Sequence, residues 1–283
     1  KKLFIGAIAL SFFACTNQSK TILAEVDQTT PHDFMFMQRA YPSGEINTSA
    51  FAQAVQWKKK NNSLGKVSTE LWEFVGPLNT GGRITDVEIP LNDANTYYVG
   101  TASGGIFKTI DGGATFNPIF DDQEMLSIGD MQLSNNNPNT IWVGTGEVNA
   151  GGGSLAYDGD GVYRSTDGGM SWESRGLPNV GSIGKVLIDP NDDNTIFVGA
   201  MGPLFKNDPN RGVYKTTDGG ASWNQVLFIS DKTGIIDMAI HPTNAAIVYA
   251  AAWQRERRPN NRIYGGEESG LYKSIDGGLT WTQ

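Results

Sequence analysis

The chain has 283 residues, of which 39% are hydrophobic and 10% aromatic, enough for a sizeable core, and its 35 glycines imply many tight turns. A formal net charge of −8 argues against a nucleic-acid binder or a polybasic membrane surface, both of which need positive charge to meet phosphates; the one basic cluster is Arg255, Arg257 and Arg258. One cysteine, Cys15, and two histidines, His32 and His241, allow no disulfide within the chain and are too few for a zinc site of the Cys/His type.

In chain order, KKLFIGAIALSFFACTNQSK pairs two lysines with an apolar run from Leu3 to Phe13. It is too short to span a membrane and reads as a signal peptide over residues 1–15. Its end, SFFAC, resembles a bacterial lipobox, whose cysteine is lipidated and becomes the first mature residue. Phe12 departs from the usual leucine and keeps an ordinary signal peptide open. The chain is therefore expected to be exported: a lipoprotein of the bacterial outer membrane or cell surface, or periplasmic or secreted if Cys15 is unmodified.

Residues 16–70 read as a linker with a short helix. In NTSAFAQAVQWKKKNN, Thr48 or Ser49 is the N-cap, and Phe51, Ala54 and Val55 share a face. The lysines of the last turn suit the helix dipole. Phe51, Val55 and Trp57 are expected to pack against the rest of the protein.

From ELWEFVGPL onward, over residues 71–283, short β-branched and aromatic runs alternate with Gly, Asn, Asp and Pro, and the pattern repeats. TYYVGTAS, TIWVGTGE, TIFVGAMG and IVYAAAWQ each follow a first apolar run, such as RITDVEIPLND or SIGKVLIDPNDD. Each unit then continues with a third run ending in Tyr or Phe plus Lys or Arg, an Asp-Gly-Gly turn, and a fourth run. The turn aspartates stand at 111, 167, 218 and 276, intervals of 56, 51 and 58 residues. Four strands per unit at this period predict an all-β fold, a β-propeller with four-stranded blades. About four blades are present, as the N-terminal part of a longer propeller, preceded by the signal peptide and the short helix.

Asp-Gly between apolar strands is a strong hairpin signal, because glycine supplies the positive φ and aspartate bonds nearby amides. STDGGMSW, TTDGGASW, SIDGGLTW and, with Phe116 for tryptophan, TIDGGATF match the Asp-box, or BNR repeat. The chain thereby resembles Asp-box propellers: sialidases, the Vps10 domain of sortilins and the xyloglucanase-like glycoside hydrolases. In those families the box is a structural turn on the face away from the ligand. The resemblance thus implies structural roles for Asp111, Asp167, Asp218 and Asp276.

Binding is then expected on the opposite face, where the loops between second and third strands vary. EVNAGGGSLAYDGDG, MGPLFKNDPNRG and QRERRPNNRIYGGEESG hold most of the non-repeating chemistry. Asn149, Tyr157, Arg255, Arg257, Arg258 and Tyr264 are candidate ligand-binding residues. Glycoside hydrolysis needs two carboxyl groups, and Glu147 with Asp158 or Asp160 is the nearby pair. The xyloglucanase-like family carries a catalytic aspartate in a first-blade segment matched here by TASGGIFK, where Ala102 takes its place. Sialidases need an early Arg-Ile-Pro, matched only by Arg83 and Ile84 in GRITD. YDGDG and DPNDDN raise calcium, but DPNDDN has Asn194 and Ala200 where an EF-hand needs glycine and glutamate, so both read as turns. No other cofactor and no metal ligand set is expected.

Two functions remain. One is a binding or scaffold module for a protein, peptide or carbohydrate, held to the membrane only through its lipid anchor and binding no nucleic acid. The alternative to it is a xyloglucanase-like or sialidase-like glycoside hydrolase with part of its active site outside this sequence. If Cys15 is lipidated, a Cys15→Ser variant expressed in the native host leaves the membrane fraction; a variant that stays there counts against lipidation.

Overall fold

The computed structural model describes residues 37–44, 46–47, 50–61, 81–148, 158–203, 205–258 and 261–283. Cys15, Asn149, Tyr157, the helix N-cap and the ELWEFVGPL segment lie outside these residues. Among the described residues, no helix is long and apolar enough to cross a membrane.

Four antiparallel sheets follow one another along the chain. The first blade is β1 (Ile84–Glu88), β2 (Tyr97–Thr101), β3 (Ile106–Thr109) and β4 (Asn117–Pro118); the second is β5 (Ile128–Leu133), β6 (Ile141–Gly146), β7 (Asp158–Ser165) and β8 (Glu173–Ser174). The third is β9 (Ser182–Asp189), β10 (Asp192–Gly202), β11 (Gly212–Thr216) and β12 (Asn224–Leu227). The fourth contains β13 (Thr233–Ile240), β14 (Val248–Arg258) and β16 (Gly270–Ser274), with a fourth-strand bridge between Lys273 and Thr282. The insertion expected there as a loop is instead a hairpin: β14 runs past the blade and pairs with β15 (Asn261–Tyr264) from Arg255 to Arg258.

The hairpin between third and fourth strands is built alike in all four units. Asp111 accepts from the Thr109 hydroxyl (2.8 Å), the Thr115 amide (2.9 Å) and the Thr115 hydroxyl (2.6 Å). Asp167, Asp218 and Asp276 repeat these bonds with Ser165 and Ser171, Thr216 and Ser222, and Ser274 and Thr280. The glycine pairs sit at positive φ, 71° and 89° at Gly168 and Gly169, where a Cβ is strained. Hydroxyl and amide donors favour the ionised carboxylates, holding Asp111, Asp167 and Asp276 at about 2 and depressing Asp218 in the same direction.

Side chains from two successive sheets interdigitate at each interface. Tyr98, Ile106, Ile128 and Met131 fill the first, Trp142, Val162, Ile183 and Val186 the second, and Phe197, Val213, Ile235 and Met238 the third. A set of side chains then reaches from each blade to the backbone of the one after it. On the innermost strands, Asp86 accepts the Met131 amide (2.9 Å) and Glu88 that of Leu133 (3.2 Å). Asp130 accepts the Val186 amide (2.8 Å) and Gln132 that of Ile188 (2.5 Å). On the rim, Lys108 donates to the Gly168 carbonyl (2.9 Å) and Lys215 to that of Gly277 (2.7 Å).

Helix α1 (Ala50–Asn61) corrects one expectation. It has no buried residue, Phe51 is 52% exposed and Trp57 67%. Its polar side chains make the attachment: Gln56 donates to Glu124 (2.8 Å), and Lys59 to the Asp122 carbonyl.

Burial pushes Glu88 up to about 7 against the Leu133 amide, with Asp86 adding to the rise; burial also pushes Asp130 up to about 7 against Lys185. A folded-state carboxyl that holds its proton longer than the unfolded one makes stability fall as pH rises from about 4.5 to 7. The Asp-box aspartates act oppositely, their contribution being lost as pH falls from about 4 towards 2. Urea midpoints should therefore peak between these windows and decline toward neutrality, and Glu88→Gln, which keeps the acceptor for Leu133, should make that decline shallower. An unchanged decline in the variant contradicts the assignment.

Candidate functional site

The Asp-box turns and the turns joining first to second strands lie at one end of the strands. The loops between second and third strands, and the connections between blades, lie at the other. At that second end α1, the start of β7 and the third-blade loop enclose a cavity of about 860 Å³. Its lining contributes four carboxylates, Glu124, Asp158, Asp160 and Asp208, against two lysines, Lys59 and Lys206. Amides from Gln53, Gln56, Gln123, Asn179 and Asn210 fill much of the rest. A net negative, amide-rich wall suits a neutral polyhydroxylated ligand, whose hydroxyls both donate and accept.

Asp160 is the most shaped of the four acids. Tyr163 donates to one carboxyl oxygen (2.6 Å) and Thr145 to the other (3.2 Å), while burial raises its proton affinity above that of an ordinary aspartate. The YDGDG stretch holds no turn at its two aspartates, because Asp158, Gly159 and Asp160 open β7. DPNDDN does form a turn, and its three acids are all engaged: Asp189 accepts the Asn191 amide (2.8 Å), Asp192 accepts the Asn194 amide (3.0 Å) and the Thr195 hydroxyl (2.8 Å), and Asp193 accepts from the Ser134 hydroxyl (2.7 Å) and the Asn136 side-chain amide (3.0 Å) of the second blade. Among the described residues, no three His, Cys, Asp or Glu side chains are grouped to hold a metal ion.

Of the three candidate acids, the cavity lining includes Asp158 and Asp160 and leaves out Glu147. Glu147 is 1% exposed and ion-paired with Arg83 from the first blade. Arg255, 3% exposed, donates to the Val148 carbonyl of the second blade from the fourth. Its guanidinium lies over the Trp253 ring at 4.9 Å and the Tyr264 ring at 5.7 Å. Arg83 and Arg255 thus tie segments of blades one, two and four together, while Tyr264 remains 50% exposed beside them. Arg257 and Arg258 lie on β14. Ala102 is buried, with its amide donating to the Arg83 carbonyl (3.0 Å).

Sequence reasoning missed Arg211. It is 2% exposed and donates to the carbonyls of Met201 (2.8 Å), Pro203 (2.8 Å) and Lys206 (3.1 Å), which folds the third-blade loop around it. Burial lowers its pKa to about 10, so it stays cationic at neutral pH. An arginine closing an Asn/Asp/Pro loop was the available signal.

Comparison with known proteins gives these features a setting. The BNR/Asp-box repeat family matches residues 163–174. The xyloglucanase Xgh74A of Acetivibrio thermocellus is 25% identical over 238 residues, covering 74% of this chain and 26% of the relative. A xyloglucanase from a Paenibacillus species is 23% identical over 234 residues, covering 75% and 22%. Among solved structures, an ancestral GH74 enzyme superposes with a TM-score of 0.53 at 23% identity, covering 71% of this chain and 25% of that one. The GH74 enzyme of Niastella koreensis gives 0.52 at 22%, covering 70% and 29%. The fold is the β-propeller of these proteins, and the chain spans about a quarter of the length of the curated relatives it matches.

Removing the Arg255 guanidinium takes its donor from the Val148 carbonyl and strips a cation from over two rings. Arg255→Ala should cost about 2–3 kcal/mol in chemical denaturation. Arg255→Lys should recover little of it, because an ammonium lacks the planar fork that lies over the rings while reaching Val148. Full recovery by lysine would show that charge alone matters there.

Proposed function

We propose that this chain is part of a glycan-acting β-propeller of the xyloglucanase-like kind, with a neutral polysaccharide as ligand and glycoside hydrolysis as the reaction. The observation that carries this reading is the cavity at the loop end, where acids and amides converge without a cationic cluster. Asp160 fits the proton-holding role, since general acids in glycoside hydrolysis need a carboxyl with raised proton affinity, and burial supplies it. Asp158 and Glu124 line the same cavity and are the available partners as base or nucleophile. The xyloglucanase relatives support the carbohydrate class, and the negative lining disfavours sialylated ligands.

A second reading keeps the propeller as a binding or scaffold module. One observation favours it: Ala102 stands where the xyloglucanase-like pattern has its first-blade aspartate, and it is buried. Export with lipidation at Cys15 belongs to either proposal and would set the site outside the cytoplasm.

The full-length protein should bind xyloglucan oligosaccharides and release reducing ends from xyloglucan. Asp160→Asn should lower turnover at least about a hundredfold while binding survives, as removal of a general acid does. Binding without turnover in the unaltered protein selects the second reading. Neither binding nor turnover, on any neutral glycan tested, overturns both.

A further inference from the structure

Helix α1 closes one side of the loop-end cavity without being seated in a core. Ala52, Gln53, Gln56 and Lys59 fall on one helix face and line the cavity of about 860 Å³. At the first turn, Ala50 and Phe51 line a second cavity of about 230 Å³ with Arg39, Met125 and Asp158, so Asp158 borders both spaces. The helix therefore stands over space at two places, and none of its 12 residues is buried.

A helix of this length is marginal on its own in water and is ordinarily held by an apolar face pressed into a core. In α1 the large apolar side chains Phe51 and Trp57 are exposed, and its contacts with the second blade are polar. Gln56 donates to Glu124 (2.8 Å) and Lys59 to the Asp122 carbonyl, both at exposed positions. The last turn carries Lys58, Lys59 and Lys60, and the loop it meets carries Asp121, Asp122 and Glu124. Exposed contacts of this kind contribute little each and weaken with salt. Opening α1 thus costs much less than opening a blade, whose Ile128, Met131, Ile183 and Val186 are fully buried against neighbouring sheets.

We propose that α1 is a gate, which lifts from the loop at residues 121–124 as a unit and admits ligand to the cavity while the propeller stays folded. Gln56 is the pin of the latch, because it holds Glu124, an acid of the cavity wall, and its release exposes that carboxylate to an incoming hydroxyl. The complementary charges of the last turn and the loop make the latch electrostatic. The gate sets how fast a ligand enters and leaves. Only its link to carbohydrate rests on the function proposed above.

Met125 reports the motion, since it is 5% exposed and shares the smaller cavity with Ala50 and Phe51. In the full-length protein, the thiol of Met125→Cys should react slowly with a maleimide, read against the same chain with Met125 intact. Adding Gln56→Ala and Lys59→Ala should speed that reaction about tenfold, as loss of two exposed polar bonds does. Raising ionic strength from about 0.02 M to about 0.5 M should speed it several-fold with the latch intact and little without it. Hydrogen exchange, which needs no new thiol, should be much faster over residues 54–61 than over 128–133 and 183–188, and the latch variant should leave the last two unchanged. Where a xyloglucan oligosaccharide binds, the latch variant should speed its association and dissociation alike. The gate is overturned if the thiol reacts at one rate with and without the latch, if salt has no effect, if the blades exchange faster in the latch variant, or if α1 exchanges as slowly as the blades. A bound oligosaccharide whose association ignores the latch overturns it too, whereas absence of binding strikes the carbohydrate reading and leaves the thiol and exchange results to decide the gate.

Discussion

Everything in this arc depends on a carboxylate tied to its own hairpin. In each Asp-box the aspartate accepts from a hydroxyl two residues before it and from an amide and hydroxyl four residues after it, so both sides of the turn close on one group. The preceding Ser or Thr is almost fully buried, 0% exposed at Thr109 and 1% at Ser165, and its oxygen also takes the amide of the second glycine. With the turn fixed, the carbonyl of the first glycine points outward at a defined place. A lysine on the blade before can then reach it. The turn is therefore both a local lock and the acceptor that sets how one blade meets the next, and a side chain so committed has no chemistry to spare for a ligand.

That commitment sorts the two ends of the propeller. The Asp-box end is closed by short, self-satisfied turns. The other end carries segments whose length varies from unit to unit, and buried arginines hold them: Arg211 folds the third-blade loop, and Arg255 lies over Trp253 and Tyr264 while reaching Val148. Rigid cationic anchors beneath acids and amides give a preorganised wall. Their own donors are turned toward backbone carbonyls, which leaves the cavity negative and suited to an uncharged partner.

The blades were legible in the amino-acid sequence because their signals are local: alternation within each run, Asp-Gly-Gly at each turn, and regular recurrence. The turn role of Asp111, Asp167, Asp218 and Asp276 followed from the same chemistry and a family resemblance. What was not legible depends on contacts between distant residues. Phe51 and Trp57 looked like a packing face, yet α1 attaches through Gln56 and Lys59. Glu147 and Asp160 looked alike as loop acids, and only the fold pairs the first with Arg83 and leaves the second on a cavity wall with Tyr163 and Thr145. The basic residue ending each third strand was visible as a repeat, but its role needed the neighbouring blade.

The central claim is that structure and recognition are divided between opposite ends of the strands. The most direct measurement is a hydrogen-exchange footprint of the full-length protein with a saturating xyloglucan oligosaccharide. Protection confined to residues 158–163, 178–181 and 206–211, with the four Asp-box turns unchanged, is the result this account predicts. Protection centred on the turns at residues 111–115, 167–171, 218–222 and 276–280, with the loop end unaffected, would contradict it.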